Sequence, residues 1–486
     1  MNSMFPALAV FLALGVAGCA VGPDYQRPAP PPGADAPAFK ESGLWRPAAS
    51  APTGLQNQWW KAYGDPPLDA LVAQADAANP TLAQAQAQYR QAQALLQGAQ
   101  AAFYPTAGLG ASAGRGRSIT NGVSSLGNSH AWSLQASWEP DLWGGVRRGV
   151  EAAGASAQAS AADLAAARLA VQAAVVNSYL QLRLLDQQKD LYASTLAGYE
   201  KALALTQAQQ RAGVATRADV ALAQNTLAAA QAQAVDVDLT RRQLEHALAV
   251  LLGQAPGAFS LPVAPLQAAL PTIPPGLPAQ LLERRPDIAA AERRVAAANA
   301  QIGVAQSAYF PNLTLSAGGG YQGAGFGPWF AAPGRVWALG AALAGQLFDG
   351  GARSARVQQA QAALDAAGAS YRQTVLAGFQ EVEDNLAALG ELERERAAQD
   401  EAARAAHESL QILLAQYRAG AASYTAVITA QSLALAADRA VLQLQSRQFA
   451  ASVALIKALG GGWDNGAQAA TLSETEPVSF HDSNSR

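Results

Sequence analysis

Cysteine is nearly missing: one residue, Cys19, stands in 486. A lone cysteine excludes an internal disulfide framework and any Cys-rich zinc site. Charge is scarce too. Asp, Glu, Lys and Arg make up 14% of the chain and nearly cancel, at a formal net charge of −3, against roughly a quarter in average soluble proteins. No basic stripe follows phosphates, so nucleic acid is not a partner. The histidines His130, His246, His407 and His481 lie far apart and lack metal-ligand spacing. No Gly-rich phosphate loop and no Gly-x-Ser-x-Gly elbow occurs. No catalytic residue, cofactor or metal is therefore expected. The acids Glu381, Glu383, Asp384, Glu391, Glu393 and Glu395 interleave with Arg394 and Arg396 and read as a solvated helix face.

Proline is missing over long stretches, with none between Pro140 and Pro256 and none between Pro333 and Pro477. A proline inside a helix costs about 3 kcal/mol, so both runs read as helical. Val146 to about Gln210 reads as one helix of roughly 65 residues, on the order of 95 Å long. Ala352 to about Tyr417 reads as another. Gly213 and Gly420 supply left-handed stops. Thr216 and Ser423 are N-cap candidates for the returning helices. No ordinary globular core needs helices of this length.

What is present is said twice. Tyr104-Pro105-Thr106 returns as Phe310-Pro311-Asn312, a shift of about 206 positions. Trp143-Gly144-Gly145-Val146-Arg147 returns as Asp349-Gly350-Gly351-Ala352-Arg353 at the same shift, and Arg211-Ala212-Gly213-Val214 and Leu252-Gly253 return as Arg418-Ala419-Gly420-Ala421 and Leu459-Gly460. The chain is thus two tandem repeats, each a helix, a β-hairpin, a very long helix, a turn and a long helix.

The organisation that follows is a signal peptide over 1–18, a lipidated extended arm over 19–63, a first repeat over 64–253, a Pro-rich connector over 254–278, a second repeat over 279–462 and a polar tail over 463–486. Strands are expected over about 105–117, 130–140, 311–322 and 335–347, and tips over about 211–216 and 418–423. Met4 to Gly18 is apolar but too short to span a membrane. Small residues precede Cys19 as in a bacterial lipobox, whose cysteine is acylated and becomes the mature N-terminus; the leading Met1-Asn2-Ser3 lacks the usual basic residue. Trp59, Trp60 and Tyr63 are expected to pin the end of the arm onto the body.

In Trp132-Ser133-Leu134-Gln135-Ala136-Ser137-Trp138, apolar and polar residues alternate. Leu313-Thr314-Leu315-Ser316-Ala317, Leu109-Gly110-Ala111-Ser112 and Trp337 to Leu343 supply partners. Period-two alternation with small polar residues on one face is the pattern of a transmembrane barrel strand. Trp132 and Trp138 would lie near opposite rims. The segments Gly114 to Ser129 and Gly318 to Pro333, rich in Gly and Ser, read as surface loops. Four strands cannot close a barrel, and lipid tolerates no open edge. Copies must share strands: two give eight, three give twelve with an interior lumen. Ser133, Gln135, Ser137, Thr314 and Ser316 would line it.

Several motifs, taken together and in order, resemble one family. They are Cys19-Ala20-Val21-Gly22-Pro23-Asp24-Tyr25 with Arg27-Pro28, Arg284-Arg285-Pro286-Asp287-Ile288, Ala308-Tyr309-Phe310-Pro311, Phe348-Asp349-Gly350-Gly351, Tyr417-Arg418-Ala419-Gly420, and Ala458-Leu459-Gly460-Gly461-Gly462-Trp463. The chain resembles the TolC-like outer-membrane factors, and within them the NodT-like lipoproteins of resistance-nodulation-division efflux pumps. The resemblance covers essentially all of the mature chain. It implies a mainly α fold with a transmembrane β-barrel: a homotrimer whose copies share a 12-stranded β-barrel in the outer membrane and a periplasmic α-barrel. It implies an exit duct for drugs or other small molecules, docked to a periplasmic membrane-fusion adaptor and an inner-membrane transporter of that class. An exit duct for type I protein secretion is the alternative; a purely structural periplasmic coiled coil is disfavoured by the alternating strands.

In similar ducts the helical tips form the constriction that opens, often with a ring of acids. This chain departs from that pattern. Ala421 to Thr429 carries no charge, while the first tip keeps Arg217 and Asp219. The expected tip and adaptor-contact residues are Arg211, Gly213, Thr216, Arg217 and Asp219, with Tyr417, Arg418, Gly420, Ser423 and Tyr424. Closure is expected to depend on packing and on bonds of Arg217 or Arg418.

Overall fold

A computed structural model of the chain describes residues 20–34, 36–41, 58–120, 123–273, 284–325 and 334–463. The expected signal peptide, Cys19, part of the arm, the end of the connector and nearly all of the tail lie outside the described residues. In chain order the elements are α1 (Pro66–Ala78), α2 (Pro80–Ala101), β1 (Thr106–Thr120), β2 (Val123–Trp138), α3 (Gly145–Arg211), α4 (Arg217–Leu251), α5 (Pro286–Ser307), β3 (Asn312–Gly323), β4 (Arg335–Ala344), α6 (Ala352–Arg418) and α7 (Tyr424–Ala458). Helices α3 and α6 have 67 residues each, on the order of 100 Å of helix.

The chain forms two units. The first comprises Met1–Ala29, Ala87–Ala161 and Ala290–Arg372. It contains one antiparallel sheet of four strands in the order β1-β2-β3-β4. Thr106 pairs with Ser137 and Thr120 with Val123, so β1 and β2 pair along their whole lengths. β2 pairs with β3 only from His130 to Trp138, so the outer part of the first hairpin is a two-stranded ribbon. This corrects the loop expected over Gly114 to Ser129: only Asn121-Gly122 separates the strands. Asn-Gly between alternating segments is the strongest two-residue hairpin signal, and Gly and Ser in the ribbon do not prevent the two strands from pairing with each other along their inner edges. β3 likewise runs on to Gly323, into the segment expected as the second loop.

The second unit comprises Pro30–Gln86, Ala162–Ala289 and Gln373–Arg486. Its main core collects Leu68, Leu71, Val72 and Ala75 of α1, Val175, Val176 and Tyr179 of α3, Val382, Leu386 and Leu389 of α6, and Phe449, Val453 and Ile456 of α7. The spacings are those of one helix face each. Trp59, Trp60 and Tyr63, on a 3-10 turn, are buried in this core, and Tyr63 and Ser452 share a hydrogen bond of 2.8 Å. The connector is tied down by a buried ionic group. Asp186 lies between Arg183 (3.0 Å) and Arg241 (2.6 Å). The two guanidiniums donate to the carbonyls of Pro262 and Leu261, and Asp186 accepts from Ala264 N.

The duplication reaches single bonds. Asn79 Nδ2 donates to the Leu251 carbonyl at 2.7 Å. Arg285, at the matching position of the second repeat, donates to the Ala458 carbonyl at 3.1 Å. Gly253 and Gly460 follow those helix ends with φ of 70° and 89°. A Cβ on either would come within 2.3 Å of the Ala78 carbonyl oxygen or 2.0 Å of the Arg284 one. Glycine is required there by both conformation and contact.

Candidate functional site

The sheet has two unlike faces, because side chains alternate along each strand and directly paired residues share a face. One face carries Leu109, Ala111, Trp132, Leu134, Leu315, Tyr321, Trp337, Leu339 and Leu343. Leu109, Trp337 and Leu339 are about three-quarters exposed, so much of this apolar face is left uncovered by the described residues. The other carries Thr106, Gly108, Gly110 and Ser112 beside Ser137, Gln135 and Ser133, then Thr314, Ser316, Gly318 and Gly320, then Ala342, Gly340 and Ala338. The five residues expected to line a lumen therefore share one face. It is made of small and uncharged side chains. Trp132 stacks near Tyr321, centroids 5.3 Å apart, and Trp138 Nε1 donates to the Phe103 carbonyl at 2.9 Å.

Where the strands give way to helices, ionic caps hold the start of each long helix. Asp141 accepts from the backbone N–H of Val146 and Arg147 and from the Arg147 side chain. Asp349 accepts from Gly351 N, Arg353 N and the Arg353 guanidinium at 2.6 Å. Those bonds hold the Asp349 carboxyl well down, at about 2. An acid at a helix N-terminus also meets the positive end of the helix dipole. Trp143 stacks on Phe310 at 4.7 Å and donates to the Pro311 carbonyl, joining the two repeats beneath the sheet.

The Val21-Gly22-Pro23-Asp24-Tyr25 stretch of the arm is fastened residue by residue. Val21 N donates to the Trp143 carbonyl. Arg148 donates to the carbonyls of Val21 and Gly22 and pairs with Asp24 at 2.7 Å. Asn299 donates to the Pro23 carbonyl, and the Tyr25 hydroxyl to Glu292. Gly22 has φ 106°, and a Cβ there would meet Gly303 Cα at 2.5 Å. Each letter of this motif thus has a contact.

The two helical tips differ. At the first, α3 ends at Arg211, Gly213 has φ 76°, and Val214 N donates back to the Gln209 carbonyl. Thr216 caps α4, accepting from Asp219 N at 3.2 Å, while Asp219 accepts from Thr216 N at 2.8 Å. These bonds lower the Asp219 pKa below its ordinary 3.8. At the second, α6 ends at Arg418, Gly420 has φ 75°, and Ala421 N donates to the Gln416 carbonyl. Ser423 caps α7 by accepting from Ala426 N at 3.3 Å, and no acid returns the bond. Between the tips Tyr417 and Tyr424 pack at 5.3 Å in a small core with Ala202, Ala223 and Val427. Burial raises the Tyr424 pKa.

Of the expected tip residues, the structure joins Thr216 to Asp219 and Tyr417 to Tyr424. Arg211, Arg217 and Arg418 form no ion pair among the described residues. Two partners, the buried Thr206 and the half-buried Gln209, escaped the sequence reading: Thr206 shares a hydrogen bond with the Tyr417 hydroxyl at 3.3 Å, and Gln209 accepts from it. They sit in a helix crowded with Ala and Gln, where neither stands out. Among the described residues no group of three or more His, Cys, Asp or Glu is placed to hold a metal.

Residues 71–254 and 277–461 each match the family described as outer membrane efflux protein. The chain is 35% identical over 454 residues to the pyoverdine export outer membrane protein OpmQ of Pseudomonas putida, covering 90% of this chain and 94% of that one. It is 32% identical over 468 residues to the toluene efflux pump outer membrane protein TtgF of Pseudomonas putida, covering 94% and 97%. Among solved structures it is similar to the outer-membrane channel OprN, with a TM-score of 0.85 and 32% identity over 92% of this chain and 100% of that one.

Proposed function

This chain belongs to the outer membrane efflux protein family, and from that premise we infer that it is the outer-membrane exit channel of an efflux pump. The observation that carries the reading is the four-stranded sheet with one apolar face, one small and uncharged face, and two edge strands, β1 and β4. An apolar face that leaves Leu109, Trp337 and Leu339 about three-quarters exposed belongs in lipid, and an unpaired edge does not. Closure by identical copies satisfies both demands. Three copies give twelve strands around a lumen lined by Ser133, Gln135, Ser137, Thr314 and Ser316. α2 supports this assembly: among the described residues Leu82 is its only buried side chain, and its many exposed positions are open to neighbouring copies.

The reading is of a passive conduit, with no catalytic step. The relatives' names, pyoverdine export and toluene efflux pump, support small molecules as cargo rather than secreted protein. The remaining parts of the proposal are an acylated Cys19 in the membrane, a periplasmic adaptor at the tips around Gly213 and Gly420, and a resistance-nodulation-division transporter beyond it. Native mass spectrometry of the detergent-solubilised protein tests the assembly: three copies are expected, and a stable monomer with full strand content refutes it. The same spectrum reads the N-terminus, which should be an acylated Cys19.

A further inference from the structure

The sheet holds two kinds of seam. Within each repeat the two hairpin strands pair, and between the repeats β2 pairs with β3. The outer edges of β1 and β4 have no such neighbour among the described residues. Burial records the difference. β3 is at least half-buried at most of its positions, whereas every residue of β4 and every described side chain of β1 is exposed. Because the chain is a duplication, the seam between its repeats shows how β4 can meet β1 of another copy. Thr106 pairs with Ser137, and its counterpart Asn312 pairs with Ala344, so Ala344 stands where Ser137 does. Ser137 pairs across the repeats with Ser316. Ser316 lies four residues after Asn312 as Gly110 lies four after Thr106, so Gly110 is its counterpart.

Carried to the open edges, this correspondence sets Ala344 against Gly110 of the next copy. Ala342 then faces Ser112, Leu339 faces Arg115, Trp337 faces Arg117 and Arg335 faces Ile119. All 10 residues of β4 find a place on β1. Each pair joins like faces. Ala342 and Ser112 belong to the small face, and Leu339, Trp337, Arg115 and Arg117 to the apolar one. A slip of one residue would set the small face against the apolar one. Slips of two or four toward the helices would put Arg335 opposite Arg117 or Arg115, and like charges directly opposite are destabilising. A slip of two the other way carries Arg335 past Thr120, where β1 ends. The derived register instead sets Arg117 beside Trp337, a cation next to an aromatic ring. Where the in-chain seam meets the helices, Trp143 stacks on Phe310. At the open seam Tyr104 holds the place of Phe310, Phe348 lies next to the place of Trp143, and both are largely exposed.

We propose that β4 of one copy pairs antiparallel with β1 of the next in this register, from Ala344 against Gly110 to Arg335 against Ile119. The seam between copies thereby repeats the seam between repeats. The occupant of each open edge is a second copy of this chain rather than a different protein. The in-chain seam is built from the counterparts of the same two strands, and both faces of the sheet continue unbroken across the new one. The proposal rests on the reading of the sheet as one part of a barrel shared by copies.

The test places cysteine pairs in the full chain in detergent: Ala342→Cys with Ser112→Cys, and Ala341→Cys with Ala113→Cys. These neighbouring pairs sample both kinds of ladder site, one of which brings the Cα atoms to about 4.5 Å. Within one chain β2 and β3 separate β1 from β4, by roughly 14 Å, so a disulfide between those strands joins two copies. Under mild copper-phenanthroline oxidation at least one pair should give reducible covalent dimers and trimers on non-reducing gels. Ala342→Cys with Gly110→Cys or with Gly114→Cys, two residues out of register, should give on the order of tenfold less. Single-cysteine variants, which also keep Cys19, give the background. Co-expressed Ala342→Cys and Ser112→Cys chains read the same contact if a double variant does not fold. Equal or stronger cross-linking of an out-of-register pair overturns the proposal. So does the absence of cross-links from both in-register pairs, or their capture of a different protein. Native mass spectrometry of the wild type separates the two inferences. If three copies assemble and the in-register cross-links fail, only the register falls; if the chain is a stable monomer, the shared barrel falls with it.

Discussion

At the scale of single residues, the two repeats meet the same need with different chemistry. The carbonyl ending the last helix of each repeat needs a donor. Asn79 supplies an amide in the first repeat, and it also caps α2 by accepting from Thr81 N and Leu82 N. Arg285 supplies a buried guanidinium in the second, balanced by Asp287 and Glu381 at 2.7 Å each. Removing one partner of a buried ion pair typically costs about 3–5 kcal/mol. Here both acids are nearly half exposed and can rehydrate, so Arg285→Ala should cost about 2 kcal/mol. Asn79→Ala should cost about 1 kcal/mol. Chemical denaturation of both variants checks the order; a costlier Asn79→Ala reverses the argument. The Thr216–Asp219 cap makes a pH prediction. Its acid has a lowered pKa in the fold, so its stabilisation is present at neutral pH and is lost as pH falls through that value, below about 4. Protection factors from hydrogen exchange should drop at the first tip toward pH 3 and stay level at the second, where Ser423 has no acidic partner. In Asp219→Asn the drop should vanish.

At the scale of elements, glycine positions separate turns that hold the body from turns that are free. Gly253 and Gly460 are pressed against carbonyl oxygens, whereas a Cβ on Gly213 or Gly420 meets nothing within 4 Å. Gly460→Ala should therefore prevent stable folding, and Gly420→Ala should cost only the conformational penalty of about 1 kcal/mol. Expression and thermal unfolding of the two variants decide this. Gly420→Val should distort the second tip yet leave abundance in the outer membrane near normal while efflux fails. Normal dye efflux by that variant would dissociate the tip from function. Element types were legible from the sequence because absent prolines and period-two alternation are local signals. The first hairpin's length was less so: Gly114 to Ser129 has the composition of a loop, and it is a ribbon because its backbone groups pair across Asn121-Gly122.

At the scale of the whole molecule, the paired strand residues of the small face carry no ionisable group, and one carboxylate, Glu139 just past β2, accepts from the Thr314 hydroxyl at its rim. A lumen so lined should discriminate little between cations and anions. Reversal potentials of the reconstituted channel under a salt gradient should lie near zero when the tips are open. Ser133→Asp should shift them toward cation preference, since a carboxylate ring attracts counter-ions. An unchanged potential would place Ser133 away from the conducting path. Arg217→Ala and Arg418→Ala form a related test at the tips, which we propose as the gate. Neither arginine forms an ion pair among the described residues, so a rise in conductance on substitution points to bonds with neighbouring copies. Unchanged conductance in both leaves the uncharged run from Ala421 to Thr429 as the closing element.

The sequence by itself determined the duplication, the two long helices, the four strands and which side chains share a face of the sheet. These follow from proline placement and from periods of 3.6 and 2.0, which the backbone imposes wherever the chain goes. Only the tertiary structure decided which residues support each other across distance. The triad Arg183–Asp186–Arg241 on the connector, the Tyr417 hydroxyl between Thr206 and Gln209, and Arg148 beneath Asp24 join positions far apart in the chain. Such pairs carry no local pattern, because long-range contacts depend on how whole elements pack and on where buried polar groups must find partners.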